Sequence, residues 1–378
     1  MLLFDDAALN EIDTTTLCVA NCVFTLNSNA ELKRGMLVRK NDEISSWHKW
    51  HKEGLSSMRK SLNDRALSLT EWGIEHSEEL GILTEKHPTG ATIIDLGVKT
   101  RGGFAAGRFM TEVCLGGLGK TSIIHMTYED LVLPSIHVET DFPALATLGA
   151  QFAGWQIKTS DYFAMGSGPA RAIALKPKEL YQKIEYSEAS EKAVLVLEAD
   201  RFPTGQAIEY IARECKTNPA NLYLLVAPTS SMAGAVQISG RIVESGIHRL
   251  VEIGFDPKKI LYGCGYAPIS PIHPKLAKAM GRTNDAISYG GATYYSVDSE
   301  DDTKLRELVH RAPSSASKDY GKPFYDIFKA TNFDFYKIDP AIFAPAAFTI
   351  NNVRTGVTHI AGKIDPLLLK QTMELTPA

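Results

Sequence analysis

The chain has 378 residues, 44% of them hydrophobic and 22% charged, with a formal net charge of −4. That length suffices for two core-forming units, so two lobes with a cleft between them is the default arrangement. The charge balance supplies no basic field to attract nucleic acid or an anionic membrane, which leaves small molecules and further copies of the chain as partners.

Residues 1–57 show no sustained hydrophobic period. The opening MLLFDDAALN lacks the basic start and long apolar core of a secretory signal, and no stretch approaches the roughly eighteen apolar residues of a membrane span. Cys18, Cys22, Cys114, Cys215 and Cys264 are odd in number and scattered, which is the usage of reduced thiols in a cytoplasm. Cys18 and Cys22 lack the second close pair of a zinc site, and the histidines show no ligand spacing, so no metal is expected. In SSWHKWHKEGL, Trp47, His48, Trp50 and His51 interleave. They form either an aromatic, basic binding arm or, the preferred reading, part of a poorly ordered and dispensable extension, with Met58 as an alternative start. Val19, Val23, Phe24 and Leu26 offer at most one short strand.

From Met58 the pattern becomes regular. SLNDRALSLTEWGIEHSEELGI reads as a helix capped by Ser61 or Asn63. ATIIDLGV reads as a strand, GGFAAG as a glycine-rich turn, and FMTEVCLGGLG as a short element ending on glycines. TSIIHMTY and PSIHVET are strands, and ALATLGAQFAGWQI has helical character. AVLVLEA, NLYLLVA, KILYGCGYA and ATYYSV are strands alternating with helical GQAIEYIAREC and TKLRELVHR, which argues for an α/β fold. VAPTSS, GYAPIS and IFAPAA each put Ala-Pro after an apolar run, as repeated strand-to-loop edges would.

No Asp, Glu, Lys or Arg occurs between Lys216 and Arg241. A serine cap followed by SMAGAVQISGRIVESGIHRLVEIG predicts one helix with an apolar stripe through Met232, Val236, Val243, Ile247 and Leu250. Gln237, Arg241, Glu244 and His248 then form a second, polar stripe. On an exposed helix this would be a minor ion pair. On so apolar and glycine-rich a helix, polar groups need partners or a pocket. There a glutamate can take a proton from water while an arginine keeps it ionised.

Two further segments carry candidates. In DYFAMGSGPARA, Ser167, Gly168 and Arg171 lie between a strand and a helix, as an anion cradle or as an ordinary tight turn. In AMGRTNDAISYGG, Arg282, Thr283, Asn284 and Asp285 suit either the amide edge of a heteroaromatic ring or a helix cap.

Taken in order, DYFAMGSGPARA, VAPTSSMAGAVQISGRIVESGIHRL, AMGRTNDAISYGG, DYGKPF and FYKIDPAIFAP resemble the methenyltetrahydromethanopterin cyclohydrolases, from about Met58 to the C-terminus. Residues 1–57 have no counterpart in that pattern. The resemblance implies two α/β lobes with a deep cleft, a homo-oligomer, usually a trimer, and a cytoplasmic enzyme of one-carbon metabolism. Such an enzyme needs no cofactor and interconverts methenyl- and formyl-tetrahydromethanopterin. The resemblance carries the base onto Glu244 and its partner onto Arg241. Gln237, Ser167, Gly168, Arg171, Arg282, Thr283, Asn284 and Asp285 are the expected substrate contacts, and GSGPAR with Arg171 suggests contact with the phosphate-bearing tail or a free phosphate. A pterin carrier without turnover, or action on the folate analogue, are the rival readings.

Overall fold

The computed structural model describes residues 17–19, 22–24 and 61–375. The chain divides between Ser57 and Met58. In the first unit the described residues are β1 (Leu17–Val19) and β2 (Cys22–Phe24), paired antiparallel with Leu17 opposite Phe24. These are two short strands where the sequence offered at most one. Trp47, His48, Trp50, His51 and Met58 lie outside the described residues.

The second unit is α/β and holds two six-stranded mixed sheets. The first contains β3 (Leu83–Lys86), β4 (Thr92–Asp95), β7 (Trp155–Lys158), β8 (Phe163–Ser167), β9 (Ala193–Glu198) and β10 (Leu222–Ala227), in the order β3-β4-β10-β9-β8-β7. Its central strands β4, β10 and β9 are parallel, with Leu224 beside Ile93 and Leu195. Both faces are covered. Ile93, Leu195 and Leu224 meet Ile208 and Ile211 on one side, while Ile94, Val196 and Leu225 meet Phe109, Met110 and Val113 on the other. Two-sided burial explains why AVLVLEA and NLYLLVA read as continuous apolar runs.

The second sheet contains β5 (Lys120–Tyr128), β6 (Leu131–Thr140), β11 (Ile260–Pro268), β12 (Ala292–Val297), β13 (Ala347–Asn352) and β14 (Thr358–Gly362), in the order β14-β13-β12-β11-β6-β5. Ile136, Val138, Val297, Phe348 and Ile350 turn one face onto Val243, Ile247 and Leu250. Burial alternates along β13 accordingly.

The second unit therefore starts in the first of these sheets, crosses to the second for β5 and β6, returns for β7 to β10, and crosses again for β11 to β14. Each crossing contains helix: Phe104–Cys114 in the first, Leu145–Gln151 in the second, and Met232–Ser239 with Ile242–Glu252 in the third.

Local readings change in several places. Ser61, not Asn63, caps the helix Leu62–Glu75, its hydroxyl accepting from Asp64 N at 3.0 Å. Asn63 is instead buried, accepting from Val194 N and donating to the Pro169 carbonyl, both at 2.9 Å. GGFAAG is no turn, because Gly103 is the cap and Phe104 starts the helix. ALATLGAQFAGWQI is helical only to Gln151; Trp155 and Ile157 then point inward from a strand with the two-residue period. Of the three Ala-Pro pairs, those at Pro228 and Pro268 stand at the ends of β10 and β11, whereas Pro345 precedes β13.

Candidate functional site

The predicted single helix over 232–253 is two. Gly240 and Arg241 take ψ near zero, with angles of −2° and 3°, so Met232–Ser239 ends there and Ile242–Glu252 begins as a separate helix. Arg241 N closes a tight turn onto the Ile238 carbonyl at 3.0 Å. A side chain at Gly240 would sit 2.7 Å from Thr111 Cγ2 of the first crossing helix, so close packing also requires glycine there. The break makes Arg241 the residue before the second helix and puts Glu244 in its first turn, where the helix N-terminus favours a carboxylate.

Arg241 and Glu244 are 8% and 5% exposed, and Nη1 stands 3.5 Å from Oε2. Arg241 Nη1 also donates to the Gln151 carbonyl at 2.7 Å, and Nη2 donates to Ser167 Oγ at 3.0 Å. Ser167 Oγ lies 3.3 Å from Cys114 Sγ, and Gln237 Nε2 approaches that sulfur at 3.8 Å. Burial pushes the Cys114 thiol up, against the pull of Arg241, so the sulfur stays a protonated thiol near neutral pH.

Every crossing thus contributes to one polar cluster: Cys114 from the first, Gln151 from the second, Gln237, Arg241 and Glu244 from the third, with Ser167 at the end of β8. Of the predicted site residues, Gln237, Ser167, Arg241 and Glu244 come together here. Cys114 and Gln151 were missed. Neither carried a signal, since Cys114 stands between Val113 and Leu115, and Gln151 between Ala150 and Phe152.

Tyr295 was missed as well. It is fully buried on β12, and its hydroxyl donates to the Val243 carbonyl at 2.8 Å, tying the first turn of the second helix to the sheet. Burial raises its pKa well above the ordinary phenol range, and the charge of Glu244 adds to this. His248 leaves the polar stripe and stacks on Phe152, with ring centroids 4.8 Å apart.

The other candidates are placed differently. Gly168 has φ 98°, a backbone state that favours glycine, and its N–H is taken by the Ala150 carbonyl at 2.8 Å. Arg171 is wholly buried: Nη1 donates to the carbonyls of Leu148 at 3.3 Å and Ala150 at 2.9 Å, and Nε donates to that of Lys176 at 2.8 Å. Arg171 Nη2 and Arg241 Nε are each buried without a hydrogen-bond partner among the described residues. Residues 282–285 lie on the helix Leu276–Gly290 and point several ways. Arg282 pairs with Glu374 at 2.7 Å, the Thr283 and Asn284 side chains return to the Met280 carbonyl, and Asp285 Oδ1 accepts from Phe324 N at 2.9 Å. Four consecutive residues turn through most of a helical circle, so they present no single edge.

A family model described as Cyclohydrolase (MCH) matches residues 61–373. The chain belongs to this cyclohydrolase family. It is 48% identical over 318 residues to the methenyltetrahydromethanopterin cyclohydrolase of Methanothermobacter marburgensis, covering 83% of this chain and 99% of the relative. Enzymes of that name from Methanococcoides burtonii and Methanocaldococcus jannaschii are each 46% identical. The first alignment covers 82% of this chain and 98% of the relative, the second 84% and 99%. The shared cyclohydrolase region thus corresponds to the second unit and contains the whole polar cluster. Among the described residues no helix is long and apolar enough to cross a membrane.

Proposed function

We propose that the protein interconverts 5,10-methenyltetrahydromethanopterin plus water with 5-formyltetrahydromethanopterin, with Glu244 as the base. The observation that carries this reading is the buried Glu244–Arg241 pair at 3.5 Å, in a chain that belongs to the cyclohydrolase family. The methenyl carbon lies between two nitrogens as a delocalised cation and is already electrophilic, so what it needs is a placed water and a proton acceptor. Water adds to that carbon, forming the C–O bond as its proton passes to Glu244. The adduct collapses with cleavage of the bond to N10, whose electron pair receives the proton from Glu244. Loss of the remaining hydroxyl proton leaves the formyl group on N5 and one proton in solution. Arg241 orients the carboxylate throughout, in surroundings dry enough for one charge to carry weight.

The test is Glu244→Gln, which keeps shape and removes basicity. Loss of methenyl absorbance is expected to slow by about 10²- to 10⁴-fold with substrate binding little changed. Retention of most of the rate would remove Glu244 as the base. The same assay with the folate analogue separates the two carriers, and binding without turnover by the unaltered protein would mark a carrier protein instead.

The family resemblance also supports a cytoplasmic homotrimer that uses no cofactor beyond its substrate; light scattering would test the assembly. Residues 1–57 lie outside the matched region and are proposed to be dispensable. A chain beginning at Met58 is expected to match the full chain in kcat, KM, melting temperature and oligomer size, and loss of activity or assembly would refute this.

A further inference from the structure

Arg241 is held by a closed ring of contacts, and one residue closes that ring twice. A guanidinium only donates, so Ser167 Oγ accepts from Nη2 at 3.0 Å and is free to give its own proton to Cys114 Sγ at 3.3 Å. The Cys114 thiol faces the Gln151 carbonyl at 3.9 Å, and that same carbonyl accepts from Arg241 Nη1 at 2.7 Å. The Gln151 side chain then reaches the other end of the arginine: Nε2 donates at 3.0 Å to the carbonyl of Gly240, the residue before Arg241.

Gln151 is wholly buried and ends the segment Leu145–Gln151, a π-helix whose widened turn is closed by Phe152 N on the Thr147 carbonyl at 2.8 Å. The neighbouring carbonyls are also engaged, Gly149 by Tyr181 Oη and Ala150 by Arg171 and Gly168 N. The segment therefore cannot slide without breaking several bonds at once. Its last residue grips both the backbone at the helix break and the fork of the guanidinium.

We propose that Gln151, with Ser167 as the second member of the ring, is the positioning residue of the reaction. It sets where Arg241 stands, and through Arg241 how the Glu244 carboxylate is aimed. The proposal rests on the assignment of Glu244 and Arg241 given above.

Gln151→Met keeps the length of the side chain and removes its amide. In otherwise unaltered protein it is expected to lower kcat by about tenfold or more with KM within about threefold, since a small misplacement of a reacting group costs rate and not binding. In an Arg241→Ala background the same substitution is expected to change kcat by less than about twofold, because the group it positions is gone. A fall of equal size in both backgrounds, or no fall in the first, overturns the proposal. If Gln151→Met does not fold, Ser167→Ala repeats the cycle without disturbing Gly240, and is expected to give a loss of kcat that vanishes without Arg241. A loss that persists there overturns the proposal as well. Should Glu244→Gln and Arg241→Ala retain full rates, the underlying assignment fails. Should they be slow while Gln151→Met is not, only the positioning role fails.

Discussion

Arg171 and Arg241 hang from neighbouring carbonyls at the end of one π-helical segment, yet they face different company. Arg171 donates to three main-chain carbonyls and lies between the rings of Phe152 and Tyr181, 5.3 and 5.6 Å from its guanidinium carbon. Burial pulls its pKa down, with Tyr181 and Glu244 opposing. Arg241 spends one donor on a carbonyl and meets a serine hydroxyl and a carboxylate with the rest of its fork. A buried arginine ringed by peptide oxygens braces the chain, whereas one facing a carboxylate is placed to orient it. The residue type does not distinguish these roles; the neighbours do.

The same substitution at both sites sharpens that contrast, because lysine keeps the charge and loses the planar fork. At 241, Arg→Lys is expected to lower kcat by about 10²-fold, as one ammonium cannot serve Gln151, Ser167 and Glu244 together. Steady-state kinetics would detect it, and an unchanged kcat would erase the distinction. At 171, Arg→Lys is expected to cost about 2–3 kcal/mol of stability, read from the denaturant midpoint, with kcat and KM of the folded enzyme within about threefold. A raised KM with intact stability would instead return Arg171 to the anion-binding role that its sequence context suggested.

Asp285 gives the smallest expected effect and carries the contrast to a buried acid. Burial raises its pKa well above the ordinary value of 3.8. The folded state therefore keeps a proton that the unfolded chain releases as pH rises through that value, and stability declines from there until the folded carboxyl ionises. Asp285→Asn keeps an oxygen for Phe324 N and removes the titration. Its melting temperature is expected to exceed that of the parent at neutral pH, with the gain vanishing near pH 4. A raised KM in this variant would support substrate contact at residues 282–285.

The sequence revealed most strands, because two-sided burial writes apolar runs and one-sided burial writes alternation. It did not reveal which sheet each strand joins, since β6 pairs with β11 more than a hundred positions later and nothing local records that partner. Glu244 and Arg241 stood out against a neutral run. The helix break at Gly240 and Arg241 was hidden, because Gly240 inside a helical period reads as a tolerated glycine and the contact that a side chain there would make with Thr111 is tertiary. Gln151 and Cys114 act through a carbonyl and a thiol, and neither leaves a pattern in a string of letters. Arg171 beside glycines looked like an anion site because sequence shows residue type but not the carbonyls that occupy it.

The threefold crossing of the chain has a kinetic meaning. Arg241 bonds partners 90 and 74 positions away, and Gln237 meets a sulfur 123 positions away. Each closure gives up chain entropy before any contact in the cluster repays it. No fragment confined to one sheet contains the whole cluster. All three crossings must dock before Cys114, Gln151, Ser167 and Arg241 meet, so the cluster is completed only by the last long-range closure.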